Sequence, residues 1–154
     1  MENASARHLW GDYLDQHLEY AFTEAPKVIH FCNNEQDANE CAMLVKKGIK
    51  KATSPCLLEL QLSKEPLPKI GDFMIVTNWE GEAQCLVRTT SVRLKPFFSI
   101  DEYYAKVEGE GDKSLAYWKK SHWDYYTKTL QPFGRKPNES MIVVCQEFEK
   151  VFER

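Results

Sequence analysis

The sequence predicts an α+β fold, a small and strongly curved sheet with helices packed at its rim. Three observations carry this. β-rich runs occur at Phe73–Thr77, 84–94 and 140–152, apolar residues recur at helical steps in the segments around them, and no repeat, low-complexity run or composition shift divides the 154 residues. A chain of this length suits one domain over residues 1–154, able to bury about two thirds of its unfolded surface. Residues 1–26 read as an N-terminal helical extension.

Each element follows from local chemistry. Over residues 5–20, Leu9, Trp10, Tyr13, His17, Leu18 and Tyr20 keep helical rather than alternating spacing, which predicts an amphipathic helix acting as a brace or lid. After Pro26, residues 35–47 read as a second helix. Asn33, Asn34 and Asp37 are capping candidates, Cys41, Leu44 and Val45 share a face, Lys46 and Lys47 suit the negative end of the dipole, and Gly48 offers a stop. From Cys56 to Leu62 the pattern partly alternates before Pro66 and Pro68, which predicts a strand. Phe73–Thr77 follows Gly71-Asp72, and residues 79–82 turn it into a second strand at 84–94, a hairpin. Residues 100–130 are helical with a break at Gly109 and Gly111. Asp112 is the N-cap candidate, Leu115, Trp118, His122, Tyr125 and Thr129 recur at steps of three and four, and Gln131-Pro132 ends the run. The closing strand, 140–152, has a polar interruption at Gln146 and Glu147 that predicts a bulge or bend.

Composition excludes several classes. With 43% hydrophobic and 28% charged residues the chain is neither disordered nor fibrous. A net charge of −3 argues against coating nucleic acid by bulk charge, so no DNA partner is expected, while 20 Lys and Arg suffice for one local basic mouth. Five widely spaced cysteines, without a C-x-x-C pair or a nearby histidine set, predict reduced, mostly buried thiols and neither a disulfide framework nor a zinc site. No apolar run approaches the ~20 residues of a membrane helix, so a cytoplasmic protein without a membrane partner is expected.

The chemistry-bearing residues concentrate in two segments, Gly48-Ile49-Lys50-Lys51-Ala52-Thr53 and Gly109-Glu110-Gly111-Asp112-Lys113-Ser114-Leu115. Lys50 reads either as a solvated lysine or as one projecting into a pocket beside the sheet. In the second case desolvation promotes loss of its proton, and it can then take one from the Thr53 hydroxyl, activating a nucleophile. Thr53 alone reads equally as a β-prone residue. Glu110, between two glycines, is an exposed loop residue or a general acid/base facing Lys50. Lys50, Thr53 and Glu110 are therefore the candidate catalytic residues, and amide or ester hydrolysis the compatible reaction. Ser114 sits at a helix N-terminus suited to oxygen-rich ligands. Trp118 and His122, on the same face, are core residues or, for Trp118, a stacking platform at a pocket mouth. Arg88 is a phosphate contact or a surface pair, and Tyr20 is a further stacking candidate. No cofactor or metal is expected, since no carboxylate cluster suggests one.

These blocks resemble the ASCH domain family, itself similar to the PUA-like β-barrels that bind RNA. The matching residues are Gly48-Ile49-Lys50-Lys51-Ala52-Thr53 for the family's Gly-x-Lys-x-x-Thr, then Pro66-Leu67-Pro68-Lys69-Ile70-Gly71-Asp72, Arg88-Thr89-Thr90, and residues 109–118 with His122-Trp123. The resemblance implies a PUA-like fold, barrel-like in its sheet. It implies an RNA or modified-nucleoside partner and, from shorter members that hydrolyse N4-acetylcytidine to cytidine and acetate, roles for Lys50, Thr53 and Glu110. Lys51 stands where those members often carry a threonine, and Ser54-Pro55-Cys56 follows where they often continue with an arginine. The N-terminal helix resembles that of longer bacterial members and implies a cover for the cleft or a homodimer contact. Three functions stay in competition: a small amidohydrolase, a non-catalytic RNA-binding module using Lys50 as a phosphate contact, and a metal-independent ribonuclease.

Overall fold

The computed structural model describes residues 1–153. In chain order the elements are α1 (Ala4–Gln16), β1 (Lys27–Ile29), α2 (Glu35–Lys46), β2 (Ala52–Thr53), α3 (Leu57–Leu62), β3 (Phe73–Thr77), β4 (Ala83–Pro96), α4 (Glu102–Glu108), α5 (Leu115–Leu130) and β5 (Ile142–Phe152), with short 3-10 turns between some of them. The five strands form one mixed sheet in the order β1-β3-β4-β5-β2. β1 runs parallel to β3 and the other neighbours pair antiparallel. The α+β class holds, but the sheet is open, with β1 and β2 as its edges, and is not a closed barrel.

Alternation along β3 sends successive side chains to opposite faces. Phe73 and Ile75 join Leu86 against Leu9, Trp10 and Tyr13 of α1, while Met74 and Val76 join Cys85, Val87 and Phe148 against Cys41, Ala42 and Val45 of α2. The N-terminal helix therefore braces one sheet face. Its start is tied to the β3–β4 hairpin, where Asn3 donates to the Gly81 carbonyl (2.7 Å) and Ser5 accepts from the Ala83 N–H (2.8 Å). A third cluster joins Cys56, Val143 and Cys145 to Tyr104 of α4 and to Trp118, Tyr126 and Leu130 of α5.

Three local expectations change. Residues 57–62 form a helix rather than a strand, and only Cys56 bridges to Val143. The run is made of Leu, Glu and Gln, strong helix formers without β-branching, and Leu58 and Leu62 pack on the core one turn apart. The N-cap of α5 is Ser114, whose Oγ accepts from the Tyr117 N–H at 3.0 Å, while Asp112 accepts from the Ser114 N–H at 2.9 Å in the preceding turn. The bulge expected at Gln146 and Glu147 lies across the ladder: Thr89 pairs with Phe148 and Ser91 with Glu147, so the extra residue is Thr90 on β4. Strands β1 and β2, three and two residues long, are too short to leave a period in the sequence.

Candidate functional site

The site is assembled by two chain reversals. Gly48 (φ +75°) ends α2 in the left-handed conformation and turns residues 49–53 along the β5 edge, where Ala52 and Thr53 pair with Glu147 and Gln146. Gly109 (φ +74°) ends α4 in the same way, and a Cβ there would meet the Ile49 carbonyl. The close approach is locked by the Lys51 N–H donating to the Val107 carbonyl at 2.9 Å. The two segments singled out in the sequence thus lie directly against each other.

At their junction the Lys50 ammonium is buried to 2% exposure, with Nζ donating to Glu110 Oε2 (2.8 Å), Glu108 Oε2 (3.1 Å) and the Ala52 carbonyl (2.6 Å). The Phe31 ring lies beneath it, 5.0 Å from the centroid. Burial by itself would depress the amine, but the carboxylates of Glu108 and Glu110 outweigh it and hold Lys50 above its ordinary value. The lysine is a charged ammonium with all three protons committed. The expectation of a desolvated, proton-poor lysine is corrected on this point, because the two carboxylates reverse the effect of desolvation.

Glu108 is the residue the sequence reasoning passed over. It is 2% exposed and accepts four hydrogen bonds: Lys50 and His122 (2.9 Å) on Oε2, Trp118 Nε1 (2.8 Å) and the Ser54 hydroxyl (2.5 Å) on Oε1. Burial pushes its carboxyl up, but His122, Lys50 and the hydrogen bonds overcome this and hold it well below the carboxylate range. His122 Nδ1 lies 2.8 Å from the Trp118 carbonyl and Nε2 2.9 Å from Glu108, so both ring nitrogens face acceptors and both must donate. Against the lowering effect of burial, Glu108 raises the His122 value and keeps an imidazolium. Two cations, Lys50 and His122, therefore balance two carboxylates, Glu108 and Glu110. A signal existed in the sequence: Glu108-Gly109-Glu110-Gly111 places two carboxylates on either side of one sharp bend.

A cleft of about 1190 Å³ opens above this quartet, and Lys50, Thr53, Glu108, Glu110 and His122 are in its lining. Thr53 is half-buried on the β2 edge, and its carbonyl accepts from the Tyr104 hydroxyl (3.1 Å). Among the described residues its own hydroxyl makes no hydrogen bond to Lys50 or Glu110, so the trio converges on one cleft with only Lys50 and Glu110 in direct contact. Ser114 also lines the cleft and is half-buried. Trp118 does not face it: the indole is 3% exposed, stacked on His122 with centroids 4.0 Å apart, because its N–H is drawn inward to Glu108. Arg88 and Tyr20 also lie outside the lining. The Arg88 guanidinium donates to the Tyr20 hydroxyl (2.9 Å) and the Gly71 carbonyl (3.2 Å), a packing role beside Phe73. Phe31, Tyr117 and Tyr125 are aromatic residues of the lining, whereas the Phe73 ring packs on Trp10, Tyr13 and Tyr20 at the opposite sheet face.

Two of the five cysteines come together on the cleft wall. Cys32 Sγ lies 3.4 Å from Cys41 Sγ, and the Cys41 thiol lies 3.5 Å from Glu110 Oε1. Four of the five thiols are buried, as expected. Among the described residues no helix is long and apolar enough to cross a membrane.

A model of the ASCH domain matches residues 27–152. Among solved structures the chain is similar to the ASCH domain from Lactobacillus crispatus JV V101, at 30% identity over 95% of this chain and 93% of that one, with a TM-score of 0.89. It is also similar to a protein from Enterococcus faecalis V583, at 29% identity over 96% and 88% of the two chains, with a TM-score of 0.87. No curated protein matches the sequence. The match over residues 27–152 contains both glycine-flanked segments that build the Lys50 and Glu110 pair, and the chain belongs to the ASCH domain family.

Proposed function

We propose that the cleft receives the base of a modified nucleoside, and that Glu110, Thr53 and Lys50 hydrolyse an exocyclic amide on it, with N4-acetylcytidine as the model substrate. The charge of the lining supports this reading most. Nine carboxylate side chains and four lysines line the cleft, so a polyanionic RNA backbone entering it would be repelled while a neutral nucleoside would not. The same excess of carboxylates weighs against the ribonuclease and against Lys50 as a phosphate contact, since its three protons are already held.

In this mechanism Lys50 is not the base. Glu110, the more exposed member of the pair, takes the proton as the Thr53 oxygen attacks the amide carbon, and the Lys50 ammonium stabilises the negative charge of the site. The C–N bond breaks as Glu110 returns the proton to the leaving nitrogen. Water, deprotonated by Glu110, then cleaves the Thr53 ester to carboxylate and free hydroxyl.

The test is acetate release from N4-acetylcytidine. Thr53→Ala and Glu110→Gln each lower kcat by at least about 100-fold. Turnover by the wild type is little changed by salt, whereas phosphate-driven RNA binding would weaken steeply. Release that persists undiminished in both variants overturns the mechanism, and salt-sensitive RNA binding without turnover favours the binding module.

A further inference from the structure

We propose that Cys32, Cys41 and Glu110 form a binding site for a thiophilic divalent cation of the Zn²⁺ class on the wall of the cleft. The three donor atoms lie within 4.8 Å of one another, with Cys32 Sγ to Cys41 Sγ at 3.4 Å and Cys41 Sγ to Glu110 Oε1 at 3.5 Å. A tetrahedral ion with metal–sulfur bonds of about 2.3 Å and a metal–oxygen bond of about 2.0 Å separates two sulfurs by about 3.8 Å and a sulfur from an oxygen by about 3.5 Å. The thiols need to part by only a few tenths of an ångström, about the difference between those figures.

The surroundings suit a ligand set. Glu110 is already oriented: Lys50 holds Oε2 at 2.8 Å and leaves Oε1 toward the sulfurs, the usual outer-shell support of a ligating carboxylate. Cys32 sits at φ +67°, a left-handed backbone that a non-glycine residue rarely adopts, with its sulfur 3.4 Å from that of Cys41. Because Cys32 and Glu110 line the cleft, a fourth coordination position opens to water or a ligand there. The acidic lining attracts cations to it.

The other carboxylate cluster, Glu108, Glu110 and His122, is no competitor, because its lone pairs are taken by Lys50, Trp118, Ser54 and His122. The site does not rest on the hydrolytic reading, although loading it would occupy Glu110 Oε1.

The test titrates Co²⁺ into the full chain, reduced with a phosphine. One equivalent develops a near-ultraviolet thiolate-to-cobalt band and visible bands of a tetrahedral ion, both abolished by Zn²⁺. Cys32→Ser and Cys41→Ser each weaken binding by at least 10-fold, about 1.4 kcal/mol, while Cys85→Ser, buried elsewhere, binds as the wild type. Absence of a thiolate band at one equivalent, or unchanged binding in both serine variants, overturns the proposal. The thiolate band of the unmodified chain keeps the test decisive even where a variant fails to fold, and none of these readouts depends on amide hydrolysis.

Discussion

Glu108→Gln removes the buried charge on which the Lys50 and Glu110 geometry depends, and its cost follows from four contacts. Glu108 Oε2 accepts from two cations and Oε1 from the Trp118 and Ser54 donors, all inside 3.1 Å. A glutamine keeps one accepting oxygen and turns an NH₂ toward donors on the other side. The negative charge between Lys50 and His122 is lost in either orientation. Breaking a buried ion pair from one side costs about 3–5 kcal/mol. At about 2–4 °C per kcal/mol for a chain of this size, Tm falls by roughly 6–20 °C. The loss depends on pH. His122 can shed its proton once Glu108 no longer holds it, so the difference from wild type is larger at pH 6 than at pH 8. Urea unfolding followed by circular dichroism at both pH values measures it, with an unchanged m-value confirming that only stability moved. A loss below about 1 kcal/mol at pH 6, or one no larger than at pH 8, refutes the charge-balanced quartet.

Gly109→Ala should destabilise by at least about 1 kcal/mol, because its φ of +74° and the Ile49 carbonyl leave no room for a Cβ, and unfolding within error of wild type would show that the two segments are not locked there. Wild-type stability should fall on both sides of a window. Glu108, depressed, contributes stability above its unfolded value of 4.5 that is lost as acid protonates it, and His122, raised, contributes below 6.5 what is lost as pH climbs through its folded value. A flat profile from pH 3 to 9 would contradict both. Trp118→Phe should cost about 1.5–3 kcal/mol for the charge-assisted bond to Glu108 and leave the KM for the proposed substrate N4-acetylcytidine unchanged, since the indole faces the core; a raised KM would place Trp118 at the ligand.

The longer elements were legible because helical spacing or a β-prone run between turn residues marks each of them. α2 and β3 match their expected spans closely, and β4 and β5 each extend or begin within two residues of them, since helical spacing with caps marked α2 and β-prone runs bounded by turn residues marked the strands. Residues 56–62 read as a strand because Cys-Leu-Leu-Glu-Leu-Gln-Leu satisfies both a loose alternation and an i,i+4 pair, and packing on the core selected a helix over Leu57–Leu62. β2, two residues long, exists only because β5 offers it an edge.

For the site, the amino-acid sequence by itself singled out two glycine-flanked segments and offered Lys50, Thr53 and Glu110 within them as candidates, while leaving a solvated lysine and an exposed loop glutamate as alternatives. Only the tertiary structure decided what those residues are chemically. Protonation is set by neighbours in three dimensions, and Glu108 reaches Lys50 from 58 positions away, turning an amine that burial would have neutralised into a fixed ammonium. Packing likewise drew Trp118 into the core and set Cys32 against Cys41, placements that depend on which helix faces which strand and leave no trace in local spacing.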